Sequence, residues 1–356
     1  MSLPKFPKSQ NSFSHELKER VHRYFEDNNI ASTGNGHLYF KAIVLPLLYI
    51  FLYVHVVFFT PPTFWALAEC ALIGLTVAAI GFNIMHDGGH GSFSSKPWLN
   101  NIAFFSLNIL GGSNFMWNMK HNVIHHAYTN IDGLDDDIDA KPFLRMATTQ
   151  PKLKMHKYQH LYFWFLYSLL YLFWVFFTDF RKYFSHRVGS VPLKKMKTKD
   201  HLIFWASKIF FYGYIMVLPI IKFGLLTWLA GFLTMALTGG FVLSIVFQLA
   251  HTVQDATFPM PDETTHKMDD EWTVHQLKTT ANFATNNKWI CWYVGGLNFQ
   301  VEHHLFPKIS HIHYPAISKI VKQTCREFGI SYIEYPKMVT AIASHVSYLR
   351  SVGQAH

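Results

Sequence analysis

Residues 64–90 read FWALAECALIGLTVAAIGFNIMHDGGH, an apolar run that passes without a break into His86-Asp87-Gly88-Gly89-His90. About 20 residues rising 1.5 Å each cross a ~30 Å hydrocarbon core, so residues 64–85 are long enough to span. Upstream, residues 38–59 are almost wholly apolar, and Thr60-Pro61-Pro62-Thr63 is a sharp uncharged turn. The two runs predict a membrane hairpin whose second helix delivers His86 and His90, four residues apart, to one face at its end. A second hairpin is predicted from residues 203–221 and 225–250, joined near Lys222-Phe223-Gly224.

Two further histidine clusters follow, His121-Asn122-Val123-Ile124-His125-His126 and Gln300-Val301-Glu302-His303-His304. Three clusters beside apolar segments, two of them ending in adjacent histidines, point to a metal centre. Neutral imidazole binds iron, copper, nickel or zinc, and so many ligands exceed what one ion takes. The expectation is two metal ions at the mouth of a membrane domain. On an α-helix His121 and His125 share a face, while His126 points about 100° away, which serves one ligand on each of two ions or two on one. His251 ends the last predicted span at the level of His86 and is an additional candidate ligand. Asp135, Asp136, Asp137 and Asp139 read equally as a solvated acidic turn or as carboxylates that orient ligand imidazoles.

Composition agrees with a membrane protein. Of 356 residues, 50% are hydrophobic and 15% charged, against roughly 25% charged in soluble domains. The net charge of +9 comes from basic residues that flank apolar segments, such as Lys152, Lys154 and Lys157, or Lys194, Lys195 and Lys197. That placement follows positive-inside topology and argues against a nucleic-acid partner. Three cysteines without a CxxC pair set no disulfide framework.

Residues 98–117 carry four asparagines and a Gly-Gly, and they link two clusters that must meet, so an interfacial or re-entrant helix is expected there. Residues 161–178 pass a hydropathy test, yet basic residues flank both ends, and an interfacial position is expected. Four crossings then leave all three clusters on one side. The expected fold is therefore an all-α integral membrane protein: four transmembrane helices in two hairpins, interfacial helices, and a cytosolic cap holding a di-metal centre. Its divisions are a cytosolic arm over 1–37 with a short helix near Glu16–Asp27, a main domain over 38–320 and a cytosolic C-terminal segment over 321–356. His55 and Glu69 lie within apolar stretches, His156, His160, His186 and His201 are expected at the interface, and His275, His311 and His313 fall in the cap.

In this order and topology, HDGGH, HNVIHH and QVEHH resemble the histidine boxes of the membrane fatty acid desaturases. The neighbouring words Trp272-Thr-Val-His275-Gln276 and Gly295-Gly-Leu-Asn-Phe-Gln300 match as well, and the resemblance covers roughly residues 38–320. It implies His86, His90, His121, His125, His126, His303 and His304 as ligands of two irons, with His251 at the place of the family's additional histidine. Gln300, where other desaturases have a histidine, is similar to the front-end branch of the bacterial linoleoyl-CoA or acyl-CoA type. There Gln300 would act at the site by touching metal or positioning a neighbour. The implied activity is O2-dependent insertion of a cis double bond, at Δ6 or Δ5, into an unsaturated C18–C20 acyl-CoA or acyl-lipid. No HPGG haem motif occurs in this sequence, so electrons are expected from a separate ferredoxin or cytochrome b5 and its reductase. The expected location is multi-pass in a membrane, bacterial inner membrane before endoplasmic reticulum, with the site cytosolic. A hydroxylase or acetylenase on the same scaffold is the nearest alternative; a membrane haem cytochrome and a divalent-metal transporter are the others. Lys120, Lys141 and Arg145 are candidate contacts for a CoA phosphate.

Overall fold

The computed structural model describes residues 3–8 and 12–355, so residues 1, 2 and 9–11 of the expected arm lie outside the described residues. The chain forms two compact units interleaved in sequence. One comprises Asn35–Lys120 and Tyr162–Val246; the other comprises Met1–Gly34, His121–Leu161 and Phe247–His356.

The first unit is helical and apolar. Helices Gly36–Phe59, Thr63–His90, Thr198–Phe223 and Leu225–His251 are long and apolar enough to cross a membrane, the last continuing into the second unit. They agree with the four predicted spans, although the third begins earlier than residue 203 and the second includes the whole His86–His90 cluster. Thr60, at φ +52°, and Pro61-Pro62 break the chain between the first two. Proline has no amide hydrogen to donate and disfavours helix in the residue before it. Outward residues such as Phe40, Leu47, Phe51 and Ile221 are exposed, as lipid-facing positions require. Gly74 lets this second helix approach the last one closely, because a Cβ there would collide with the Met235 carbonyl. His55 and Glu69 pair with each other, Nδ1 to Oε2 2.8 Å, which satisfies both.

Helix Pro97–Ile109, at 13 residues, is only about 20 Å long, too short to cross. It ends against a buried cation that hydropathy does not reveal. Lys208 Nζ donates to the Gly111 carbonyl at 2.6 Å and to Asp179 at 2.8 Å, while Trp174 Nε1 donates to the other Asp179 oxygen. Both charges are about 1% exposed. A buried pair of this kind adds little net stability, but removing one partner costs about 3–5 kcal/mol. Residues 161–178 do not make one straight rod: Lys154–Ser168 and Leu170–Ser185 meet at a 57° bend.

The second unit mixes helices with a short parallel pair of strands, Ala281–Phe283 and Ile333–Tyr335. Helix Ser12–Asp27 is amphipathic, with Phe13, Leu17 and Val21 repeating every four residues. They pack with Ile317 and Val321 of helix Tyr314–Glu327 and with Leu277 and Val301. Arg20 bridges Glu16 and Glu327 across this contact, at 2.6 and 2.7 Å.

Two sequence expectations fail here. Arg145 is 2% exposed, and its guanidinium donates to the carbonyls of Thr148, Gln150, Val352 and Ala355. Four of its five N–H donors are committed to these carbonyls, two of them at the end of helix Met338–Gln354, and the buried guanidinium is not placed to contact a phosphate. His156 is buried at 1% exposure, not interfacial. Its Nε2 donates to the Pro142 carbonyl at 2.8 Å, and its Nδ1 accepts from the Leu153 amide.

Candidate metal centre

In the apolar unit, a π-helical turn Gly81–Met85 leads into His86–His90. The two imidazole centroids are 4.7 Å apart, and both rings meet Trp117 edge-on at 5.7 Å. The intervening glycines are sterically required. A Cβ on Gly88 would sit 2.6 Å from the Phe104 amide, and one on Gly89 would sit 2.6 Å from the Trp117 ring. Lys41, also buried, donates to Asn83 at 2.7 Å, one turn before His86.

The other six candidate ligands gather in the second unit, all 0–6% exposed. The second cluster departs from the α-helix expected for it. Asn118–His125 is a π-helix, and His126 starts a new α-turn. The wider i→i+5 winding brings His121 and His126, five residues apart, to 3.2 Å between their Nε2 atoms. His125, His251 and His304 form one triangle with centroids 4.8–4.9 Å apart. His126, His303 and His304 form another, with His126 at 4.6 and 4.5 Å from its partners. Within each trio one ring nitrogen per residue lies within 4.8 Å of the others, and the same holds for His121, His125 and Asp137.

Each tautomer follows from what the Nδ1 atom meets. His125 Nδ1 faces the Asp135 carboxylate at 3.0 Å, His304 Nδ1 the Gln276 side-chain oxygen at 2.8 Å, and His251 Nδ1 the Thr279 carbonyl at 3.3 Å. Those oxygens only accept, so Nδ1 carries the hydrogen and Nε2 presents a lone pair. His303 Nδ1 lies 3.1 Å from the Tyr314 hydroxyl. The His251 Nε2 atom is buried and makes no hydrogen bond, a costly arrangement unless something else takes the lone pair. Clustered imidazoles, oriented from behind by a carboxylate, an amide and a carbonyl, suit a transition-metal ion, iron included.

Of the acidic run, Asp135 is buried and also accepts from the Asn130 amide at 2.9 Å, whereas Asp139 is exposed beside Lys141. The two readings of that run thus divide between residues. Asn130, at φ +59°, donates from its side chain to the carbonyls of His251 and Thr279 and ties the second cluster to the end of the last long helix. His275 is held near pKa 4 by burial, and as a neutral ring it donates Nε2–H to the Thr129 carbonyl. Gln300 opens helix Gln300–Leu305 and is 3% exposed. Glu302, between Gln300 and the two histidines, accepts from Asn282 and Tyr332, and burial pushes its carboxyl up to about 8. Sequence reading met Gln276 only as part of a word shared with the family and gave it no role, and it missed Tyr314 and Thr279, since nothing in a lone Tyr or Thr signals contact with a histidine elsewhere in the chain.

Comparison with known proteins agrees. The fatty acid desaturase family model matches residues 60–336. The chain is 35% identical over 96% of both chains to an sn-1 linoleoyl-lipid 6-desaturase of Synechocystis sp.. It is 36% identical to an sn-1 linoleoyl-lipid 6-desaturase of Arthrospira platensis, over 96% of this chain and 92% of that one. With an acyl-lipid (8-3)-desaturase of Physcomitrium patens the identity is 38%, over 95% of this chain and 71% of the other. The chain belongs to the fatty acid desaturase family, and is an oxidoreductase that introduces double bonds into fatty acyl chains.

Proposed function

We propose that this desaturase works from the front end, inserting a cis double bond at Δ6 of an already unsaturated C18 chain carried on a glycerolipid. Gln300 at the head of the third histidine box supports this, as do two relatives named for Δ6 chemistry on linoleoyl-lipid that match nearly end to end. Our reading takes acyl-lipid over acyl-CoA because those names specify lipid and because Arg145 is unavailable to a phosphate.

In this reading His86, His90, His121, His125, His126, His251, His303 and His304 hold two irons. Iron reduced by a separate ferredoxin or cytochrome b5 supplies the O2-derived oxidising power that no side chain possesses. The chain's own residues do the rest. Asp135, Gln276 and the Thr279 carbonyl fix the imidazoles, burial keeps bulk water from them, and Gln300 positions a neighbour. The protein is multi-pass, with two hairpins of spans and the histidines on the cytosolic side of a bacterial inner membrane.

The test is expression in a host fed stearate, oleate and linoleate separately, with mass spectrometry locating the new double bond. Linoleate should yield the Δ6 triene. Oleate formed from stearate as the dominant product would overturn the front-end reading while leaving the desaturase intact.

A further inference from the structure

Residues 181–199, RKYFSHRVGSVPLKKMKTK, hold seven Lys and Arg and no Asp or Glu. The unit they belong to has twelve Lys and Arg against four Asp and Glu, so +8 of the chain's +9 resides in it. The segment has a defined shape. Arg187–Val188 pairs antiparallel with Val191–Pro192, the turn passes through Gly189 at φ +54°, and Arg187 Nη2 donates to the Ser190 carbonyl at 2.6 Å. Leu193 N–H closes back on the His186 carbonyl at 2.8 Å, and the chain then enters helix Thr198–Phe223. Lys182 is buried, while Arg181, Arg187, Lys194, Lys195, Lys197 and Lys199 are exposed.

Large apolar side chains stand bare in this stretch and in the helix that follows it: Phe184 at 65%, then Leu202 at 66% and Trp205 at 40% exposure. Trp205 Nε1 donates to the Tyr183 hydroxyl at 3.1 Å, and the Tyr183 ring stacks on Phe204 at 4.4 Å. Six exposed cations, adjoining exposed aromatics at the mouth of an apolar helix, match the headgroup–hydrocarbon boundary of a bilayer. An acidic soluble partner would satisfy the cations but leave Phe184, Leu202 and Trp205 in water.

We infer that the 181–199 hairpin is a docking surface for anionic phospholipid headgroups of the phosphatidylglycerol class, in the leaflet on its own side of the membrane. The inference rests on the membrane placement proposed above and is independent of the chemistry at the histidines. Each Lys or Arg near an anionic surface is worth about fivefold in binding, and the attraction weakens as salt shortens the Debye length.

The experiment uses the full chain in mixed phosphatidylglycerol–phosphatidylcholine nanodiscs, with a trace of photoactivatable lipid of either headgroup and mass-spectrometric mapping of the adducts. Labelling of 181–199 by the phosphatidylglycerol probe should exceed that by the phosphatidylcholine probe at least about fivefold. The excess should collapse in K194Q/K195Q/K197Q and persist in K194R/K195R/K197R. If the glutamine variant does not fold, the wild type alone decides, because its excess must fall between roughly 50 and 500 mM salt. Equal labelling by the two probes, or an excess indifferent to both charge and salt, overturns the inference. So does an acidic electron-carrier protein that binds wild type but not the glutamine variant in pure phosphatidylcholine discs while headgroup labelling stays equal, since the hairpin would then be a protein-docking surface. Product analysis with linoleate reads the desaturase separately, so the two conclusions fail independently.

Discussion

The Gln276 side-chain oxygen lies 2.8 Å from His304 Nδ1, while its amide nitrogen donates to the His126 carbonyl at 3.2 Å. One buried amide thus fixes the tautomer of a third-box histidine and holds it against the backbone of the second box. Thr129 closes the same network, donating to the His125 carbonyl at 2.7 Å. Gln276→Leu removes the acceptor, and loss of such an orienting group costs about 10–100-fold in metal affinity or activity. Cobalt(II) titration of the metal-free protein should show that loss, and Gln276→Glu, which keeps an acceptor for His304, should recover most of it. Equal cobalt affinity in Gln276→Leu and wild type would reduce Gln276 to a packing residue.

His251 stands outside the three boxes, but its buried Nε2 makes no hydrogen bond and its ring sits 4.8 Å from those of His125 and His304. The His251→Ala protein should insert normally and lose both iron and turnover, against about two irons in wild type. Iron is counted by mass spectrometry on protein purified under identical conditions. Normal iron loading in the variant would make His251 a structural residue at a helix end.

Much of this was legible because it is written locally. Apolar runs of spanning length, the prolines at 61 and 62 and the histidine spacings are properties of adjacent residues, and the four long helices appear where those runs lie. What stayed hidden depends on partners far along the chain. Arg145 reads as a free surface cation until Val352 and Ala355 close over it. Lys208 reads as a polar interruption of a span until Asp179 and Gly111 meet it. The π-helical winding at Asn118–His125 was missed for another reason: i→i+4 and i→i+5 turns share the same residue preferences, and only the hydrogen-bond pattern separates them.

Arg145 gives a stability prediction. Arg145→Met leaves the carbonyls of Thr148, Gln150, Val352 and Ala355 without their donor. Hydrogen bonds to a charged group contribute about 1.5–3 kcal/mol each and do not add fully, so a loss of about 3 kcal/mol or more is expected. Arg145→Lys should recover only part, since one ammonium cannot reproduce the planar fork. Thermal unfolding in detergent measures both, and limited proteolysis should show the 338–354 helix released first. Wild-type melting in Arg145→Met would refute the clamp.

Topology follows from charge. Residues 181–202 and both termini should lie on the cytosolic side, with only the turns near Pro61 and Gly224 exposed opposite. Cysteines introduced at Ser185 and Ser190 should react with an impermeant reagent in inside-out vesicles and stay silent in intact cells. Reaction at Ser190 from outside would mean that the bent pair Lys154–Ser168 and Leu170–Ser185 crosses the membrane.

His345 sets an acid limit on folding. It is fully buried, its Nδ1–H donates to the Thr252 carbonyl, and burial lowers its pKa from 6.5 to about 4. Because the folded value is the lower one, the unfolded chain takes up the proton first. The contribution is intact above pH 6.5 and is lost as pH falls toward 4. Integrated to pH 5, the shift removes about 2 kcal/mol of stability. His275, lowered by the same cause, acts in the same direction, and Glu302, raised to about 8, acts oppositely. Both are common to wild type and variant, so the difference between the two proteins isolates His345. Between pH 7 and pH 5 the wild type should lose about 2 kcal/mol more stability than His345→Gln, read as a larger drop in melting temperature at fixed metal content. Parallel pH profiles for the two proteins would show that the buried ring does not control acid stability.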